Sequence, residues 1–112
     1  MNNVTKTAIH KKLTDDELDE LIEEATVDCY DDSECISGFA SMIEDNLEFP
    51  FSAKVIGEDV MVTGVTQEKD EVLAECERKD KKYTVNILNV EFTSPVKGIE
   101  WLDAYKKWKG WQ

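Results

Sequence analysis

The stretch at residues 47–55, Leu-Glu-Phe-Pro-Phe-Ser-Ala-Lys-Val, marks a change in the spacing of apolar residues along the chain. Before it, apolar residues recur at intervals of three and four, as on one face of a helix. After it, they alternate with polar residues, as in a half-buried strand. Pro50 disfavours helical geometry at Phe49, so the preceding helix must end by Glu48. The stretch therefore separates a helical part from a β part and predicts an α+β fold.

Two helices are predicted before this junction. The first, at about residues 15–25, starts with a capping box in which Thr14 is the N-cap and Glu17 follows three residues later. The second fits residues 32–47, where one face carries Ile36, Phe39, Ala40, Ile43 and Leu47. Residues 1–12, which include His10, are predicted to be a flexible tail, and residues 13–112 are predicted to form a single domain.

Five short strands and a closing helix are predicted after the junction. Gly64 is expected to mark a bulge in the second strand. The apolar residues between Lys82 and Phe92 change face near Ile87, so this segment is predicted to break into two strands. Five antiparallel strands suggest a small SH3-like barrel or a bent sheet. An amphipathic helix near residues 98–109 ends the domain, with its aromatic stripe expected to pack in the core: Trp101, Tyr105 and Trp108.

The charge of the chain is strongly negative, with 25 acidic and 13 basic residues and a net charge of −12. Residues 14–48 contain 14 of the acidic side chains and no Lys or Arg. Nucleic acid and anionic membranes are excluded as partners, because both require a basic surface. The acidic excess is compatible with cation binding, with a basic protein partner or with solubility alone.

The three cysteines, Cys29, Cys35 and Cys76, are odd in number and form no CxxC pair. No stretch is long and apolar enough to span a bilayer, and the N-terminus lacks the apolar run of a signal peptide. We therefore expect a cytoplasmic monomer in which the cysteines are buried or half-buried thiols. No enzyme is predicted, because His10 is the only histidine and carboxylates near Cys29 and Cys35 would keep those thiols protonated.

The candidate functional segment is the acidic turn, which we define as residues 28–34, Asp-Cys-Tyr-Asp-Asp-Ser-Glu, between the two predicted helices. Calcium takes about six to eight oxygen ligands from carboxylates, backbone carbonyls and water. The turn and the helix start supply four carboxylates: Asp28, Asp31, Asp32 and Glu34. Asp45 and Glu48 could join them only if the second helix bends back or the turn folds over it. The segment is not an EF-hand, since the glycine required at the sixth loop position is missing.

Two alternatives to a calcium site remain open for these residues. Asp31 with Glu34 would also make a good capping arrangement for the second helix. Capping alone does not explain four carboxylates within seven residues, which repel one another unless neutralised. The chain could instead be an acidic protein-interaction module, or a mimic of nucleic-acid charge that binds a basic partner. Such a mimic would spread its acids over much of its surface, whereas these are concentrated in residues 14–48.

Three segments together resemble the small calcium-binding proteins of the cyanobacterial CcbP type. They are residues 27–34, Val-Asp-Cys-Tyr-Asp-Asp-Ser-Glu, the stretch at 47–55, and residues 101–108, Trp-Leu-Asp-Ala-Tyr-Lys-Lys-Trp. The resemblance covers roughly residues 25–109. It implies an intracellular calcium-binding protein outside the EF-hand class, acting as a calcium buffer or signalling component.

The resemblance also implies a ligand set. The acidic run of the family falls on Asp28, Asp31, Asp32 and Glu34 of this chain. The acidic helix end before Phe-Pro-Phe corresponds to weaker candidates: Glu44, Asp45 and Glu48. Where an acidic stretch similar to Asp-Leu-Glu is expected after the fourth strand, this chain has Asn89-Val90-Glu91. A second site drawing on that region would therefore be weaker here.

Overall fold

The structure is a computed structural model that describes residues 13–110, in which three helices accompany one five-stranded antiparallel sheet. In chain order the elements are α1 (Asp15–Ala25), α2 (Asp32–Asn46), β1 (Phe51–Val55), β2 (Glu58–Glu68), β3 (Glu71–Arg78), β4 (Lys81–Asn86), a 3-10 turn (Ile87–Asn89), β5 (Glu91–Phe92) and α3 (Ile99–Lys109). The α+β class is confirmed. The predicted tail at residues 1–12 lies outside the described residues.

The helix boundaries follow from local chemistry. The capping box predicted for α1 is present: Thr14 Oγ1 accepts the backbone N–H of Glu17, and Glu17 Oε1 accepts the backbone N–H of Thr14. The helix α2 ends at Asn46, and Leu47 then takes an extended conformation. The Phe49–Pro50 peptide bond is cis. Because α2 ends at Asn46, the prediction that this helix stops by Glu48 is confirmed.

The sheet has the strand order β4-β3-β2-β1-β5. The register between β2 and β3 shifts between Val62 and Gly64, which confirms the predicted bulge. The predicted break near Ile87 is the 3-10 turn, after which β5 pairs with β1 on the far side of the sheet. Because β1 lies between β2 and β5, the two outer strands of the described sheet are β4 and β5, and the sheet stays open rather than closing into a barrel.

The core lies between the sheet and the helices. Phe39 of α2 and Tyr105 of α3 are fully buried, and their rings lie 5.4 Å apart. The Phe39 ring also lies 5.3 Å from that of Trp108. Trp101 is buried as well, so the aromatic stripe of α3 packs in the core as expected. Within residues 13–110, no helix is long and apolar enough to cross a membrane.

Two glycines allow backbone segments to approach α2 closely. A Cβ atom at Gly38, in the middle of α2, would collide with the backbone carbonyl oxygen of Ala25 at the end of α1. Gly98, with a φ of 94°, lies in the same way against the carbonyl of Asn46. These approaches hold the middle of α2 against the end of α1, and the C-terminal end of α2 against the start of α3.

Candidate metal site

The acidic turn connects α1 to α2 on the surface of the protein. All four of its carboxylate residues are exposed, and Tyr30 between them is 88% exposed. Asp28 has a φ of 64°, a left-handed conformation in which Asp is found more often than most residues. The chain then enters α2 through its N-cap, Asp31. The predicted interhelical turn is thus present, with its acidic side chains facing solvent.

Two of the four acids form hydrogen bonds that start α2. Asp31 is the N-cap, and its Oδ1 atom accepts the backbone N–H of Glu34 at 2.9 Å. The Oε1 atom of Glu34 accepts the backbone N–H of Tyr30 at 2.6 Å. The capping interpretation is therefore confirmed for Asp31 and Glu34. Each carboxylate uses one oxygen in its cap and carries a second one.

A disulfide bond joins Cys29 in the turn to Cys35 in α2, with their Cα atoms 5.4 Å apart. The prediction of free thiols was wrong for this pair, whereas Cys76 is a free and buried cysteine as expected. Burial also raises the pKa of the Cys76 thiol. The odd number of cysteines gave no indication of this disulfide. Cys29 lies just before the N-cap of α2 and Cys35 lies at the end of its first turn, where the two cysteines come within bonding distance.

Asp45 and Glu48 lie at the opposite end of α2. The helix is continuous from Asp32 to Asn46, so Asp32 and Asp45 are about 20 Å apart along its axis. The bend that would have brought the two ends together does not occur. Asp45 and Glu48 therefore do not join the acidic turn, and a ligand role for them stays a prediction. Both are exposed, and the backbone N–H of Glu48 donates to Lys97 O at 2.9 Å.

The chemistry of the acidic turn fits calcium. Carboxylate and backbone carbonyl oxygens are the hard donors that this ion prefers, and the turn supplies four carboxylates on a short segment. Within residues 13–110, no three Asp, Glu, His or Cys side chains are already grouped as a metal site. The carboxylates of the turn would therefore have to come closer together before they could share one ion.

A contact that the sequence did not reveal supports the start of α2. The side chain of Gln67, at the end of β2, accepts a hydrogen bond from Ser37 Oγ at 2.6 Å and donates to Ser33 O at 3.4 Å. Because Gln67 lies thirty or more positions along the chain from the residues of α2 that it contacts, no local pattern could have indicated this contact.

Asp70, in the turn after β2, lines a cleft of about 430 Å³ together with Asp32. Lys109 lines the same cleft, and its cationic Nζ lies 3.4 Å from Asp70 O.

Comparison with known proteins identifies the family. The sequence model of the CcbP family, which is described as calcium binding, matches residues 19–111. The chain belongs to the CcbP family of calcium-binding proteins. This confirms the resemblance carried by the three segments, and calcium is the ion of this family. A search among curated proteins found no match.

Two solved structures share the fold of this CcbP-family protein. The crystal structure of Anabaena CcbP has a TM-score of 0.75 and 22% sequence identity, and the alignment covers 91% of this chain and 98% of that one. A calcium-binding protein in its calcium-binding form has a TM-score of 0.72 and 23% identity, covering 88% of this chain and 94% of the other. At these identities the likeness establishes the fold.

Proposed function

We propose that this CcbP-family protein is a cytoplasmic calcium buffer or signalling component, not an enzyme, and that the acidic turn holds the ion. The family match supports calcium as the ligand. The observation that carries the location is the exposure of four carboxylates within seven residues, on a segment that contains no Lys or Arg. The ligands we assign to the ion are Asp28, Asp31, Asp32 and Glu34.

The charge balance of the turn explains why several acids are needed. The turn adjoins the N-terminus of α2, where the helix dipole favours anions and disfavours a cation. Four carboxylates carry a formal charge of −4 in a region without basic residues, which outweighs the dipole. A divalent cation would also relieve the repulsion among the carboxylates.

The two capping hydrogen bonds indicate how the turn would bind calcium without refolding. Asp31 and Glu34 can keep one oxygen on the backbone and offer the second to the ion. Asp32 lies within this capped segment and Asp28 lies before it, next to Cys29, which the disulfide joins to α2. Binding would therefore require rotation of side chains rather than rearrangement of the helices, which favours a buffer over a sensor that changes shape.

The proposed site is tested by neutralising one acid at a time. Asp28→Asn, Asp31→Asn and Asp32→Asn each keep a side-chain oxygen and remove a charge. We expect each to weaken calcium binding in a calorimetric titration by at least about tenfold, which corresponds to ~1.4 kcal/mol. Asp16→Asn, in the exposed first turn of α1, is the matched control and should change affinity little, because salt screens distant surface charges.

The same titration decides between the two ends of α2. Asp45→Asn and Glu48→Gln should leave calcium affinity close to that of the Asp16→Asn control. If these two changes weaken binding and the changes in the turn do not, the ion lies at the C-terminal end of α2. Equal small losses of calcium affinity in every variant would indicate diffuse attraction of the cation by the acidic surface.

A cytoplasmic location must also accommodate the disulfide. Cytoplasmic disulfides are uncommon and are usually transient or redox-sensing, because cellular thiols keep cysteines reduced. The Cys29–Cys35 bond is therefore expected to be reversible in that compartment. Cell fractionation tests the location, and recovery of the protein only from an oxidising compartment would contradict it.

A further inference from the structure

We propose that the Cys29–Cys35 disulfide is a reversible thiol–disulfide site whose oxidation tightens calcium binding by the acidic turn. The inference rests on the proposed function, because the disulfide and the proposed ligands share one segment. It adds a covalent modification site and a class of reaction partner, a dithiol reductant, to that function.

The position of the disulfide links it to the proposed ligands. The bond closes a short loop around residues 30–34, which contains three of the four acids. The fourth, Asp28, is the immediate neighbour of Cys29. Cys29 lies in the turn and Cys35 in α2, so the bond ties the part of the turn that carries Asp28 to the helix that carries Asp32 and Glu34, which is itself packed in the core.

Reduction would remove this tie while leaving the fold in place. The core of the described residues is formed mainly by side chains of the three helices and the sheet and does not include Cys29. Without the bond, the segment before Asp31 gains conformational freedom, and Asp28 can move away from the other three carboxylates under their mutual repulsion. Calcium would then have to order the turn on binding, whereas the oxidised turn is already held in place.

The two cysteine residues differ in exposure. Cys29 is half-buried, whereas Cys35 is only 8% exposed. Attack by an external thiolate is therefore expected at the Sγ atom of Cys29. Cys76 is buried in the sheet and lies outside the pair, so it serves as an internal control.

The chemical step is thiol–disulfide exchange with a dithiol. One thiolate of the reductant attacks Cys29 Sγ, a mixed disulfide forms, the Cys29–Cys35 bond breaks, and the departing Cys35 thiolate takes up a proton. The second thiol of the reductant then attacks its own mixed-disulfide sulfur and releases Cys29, which also takes up a proton. Two electrons and two protons pass to the protein, and the dithiol becomes a disulfide.

The inference is tested with the full chain in both redox states. Air-oxidised protein and protein reduced with dithiothreitol are each titrated with calcium against a chromophoric chelator, and intact mass establishes the gain of two hydrogen atoms on reduction. We expect the reduced protein to bind calcium about tenfold more weakly. The Cys29→Ser/Cys35→Ser double variant should show the weaker affinity with and without reductant. Cys76→Ser should keep the full redox response.

A second readout does not require a variant. Because coupling between two equilibria is reciprocal, saturating calcium should protect the disulfide by the same factor by which oxidation strengthens calcium binding. The protein is equilibrated with fixed amounts of reduced and oxidised dithiothreitol, with calcium or with a chelator, and the reduced fraction is counted by thiol labelling. A lower reduced fraction with calcium is the expected result.

The possible outcomes separate this inference from the proposed function. Equal calcium affinity in the two redox states, or tighter binding by the reduced protein, overturns the inference and leaves the calcium site standing. An oxidised sample whose intact mass shows no disulfide also overturns it. Failure of both states to bind calcium overturns the proposed function itself.

Discussion

Asp31 Oδ1 accepts the backbone N–H of Glu34 at 2.9 Å, so a residue that we propose as a calcium ligand is also the N-cap of α2. The two roles are compatible because a carboxylate has two oxygens. The cap fixes the position of the carboxylate relative to the helix before any ion arrives. The hydrogen bond from Tyr30 N–H to Glu34 does the same for a second acid.

The two roles of Asp31 can be separated by comparing two substitutions. Asn caps a helix about as well as Asp. Asp31→Asn should therefore lower the free energy of unfolding of the calcium-free protein only by the helix-dipole contribution of ~0.3–1 kcal/mol. Relief of repulsion among the carboxylates should offset part of this loss. Asp31→Ala removes the hydrogen bond as well and should cost ~1 kcal/mol or more.

Urea unfolding of the two variants in the presence of a chelator measures both effects. If Asp31→Asn destabilises the protein as much as Asp31→Ala does, the charge of Asp31 rather than its hydrogen bond starts the helix. If Asp31→Asn loses apo stability while calcium binding is untouched, the turn is only a cap.

The close approach of α1 to α2 at Gly38 gives a second prediction. In an exposed helix interior, replacement of Gly by Ala stabilises by about 1 kcal/mol. Here the new Cβ would collide with the carbonyl oxygen of Ala25, so Gly38→Ala should destabilise by ~1–3 kcal/mol. Ser41→Ala, at an exposed position of the same helix, is the control and should stay within about 0.5 kcal/mol. Stabilisation by Gly38→Ala would show that the helices do not meet as described.

Because of the ion pair between α1 and α3, the stability of the protein should decrease at alkaline pH. Lys107 Nζ lies 2.8 Å from Asp19 Oδ1 and 3.7 Å from Asp15 Oδ1. The hydrogen bond with Asp19 is the main cause of a raised pKa for Lys107. A group whose pKa is higher in the folded state stabilises the protein below its unfolded pKa, and this contribution is lost as the pH rises through the folded pKa.

Substitution of Asp19 checks this effect. Asp19→Asn should lower thermal stability at neutral pH, and the difference from wild type should shrink as the pH rises through the pKa of Lys107. Added salt should also reduce the difference, since both side chains are partly exposed. Asp16→Asn is again the control. A difference that is constant across this pH range would contradict the assigned pair.

The parts of the fold that the sequence predicted depend on local chemistry. Thr14 with Glu17, the change of spacing at residues 47–55 and the bulge at Gly64 all act within a few residues, and each was predicted at its place. The choice between a barrel and an open sheet depends on which strands pair. That β5 adds to β1 rather than to β4 is decided by three-dimensional packing after the 3-10 turn, which no periodicity records.

The candidate site was predictable in composition but not in arrangement. The acids of the turn are evident in the sequence, yet whether Asp31 caps, binds an ion or does both depends on where its two oxygens point. The exclusion of Asp45 from the turn depends on α2 being continuous. The Cys29–Cys35 bond and the contact of Gln67 with α2 depend on how the chain reverses and how distant segments meet.

Calcium should stabilise the protein without being needed for folding. The domain buries a continuous core of its own, so protein in a chelator should remain folded. An ion that binds the native state alone should raise the free energy of unfolding by about 2.7 kcal/mol at a hundredfold excess over its dissociation constant. Thermal unfolding with calcium and with chelator measures this shift. A melting temperature that is the same in both conditions would show that no ion binds the native state preferentially.

The most direct test of the calcium assignment is a calorimetric titration of the oxidised protein with calcium, repeated in millimolar magnesium. Carboxylates on a turn can offer many oxygens without octahedral geometry, which suits calcium better than magnesium. We predict a saturable site with a dissociation constant on the order of 10⁻⁷ to 10⁻⁴ M, little affected by magnesium. Equal affinity for the two ions, or heat without saturation, would contradict a calcium site and show only attraction of cations to an acidic surface.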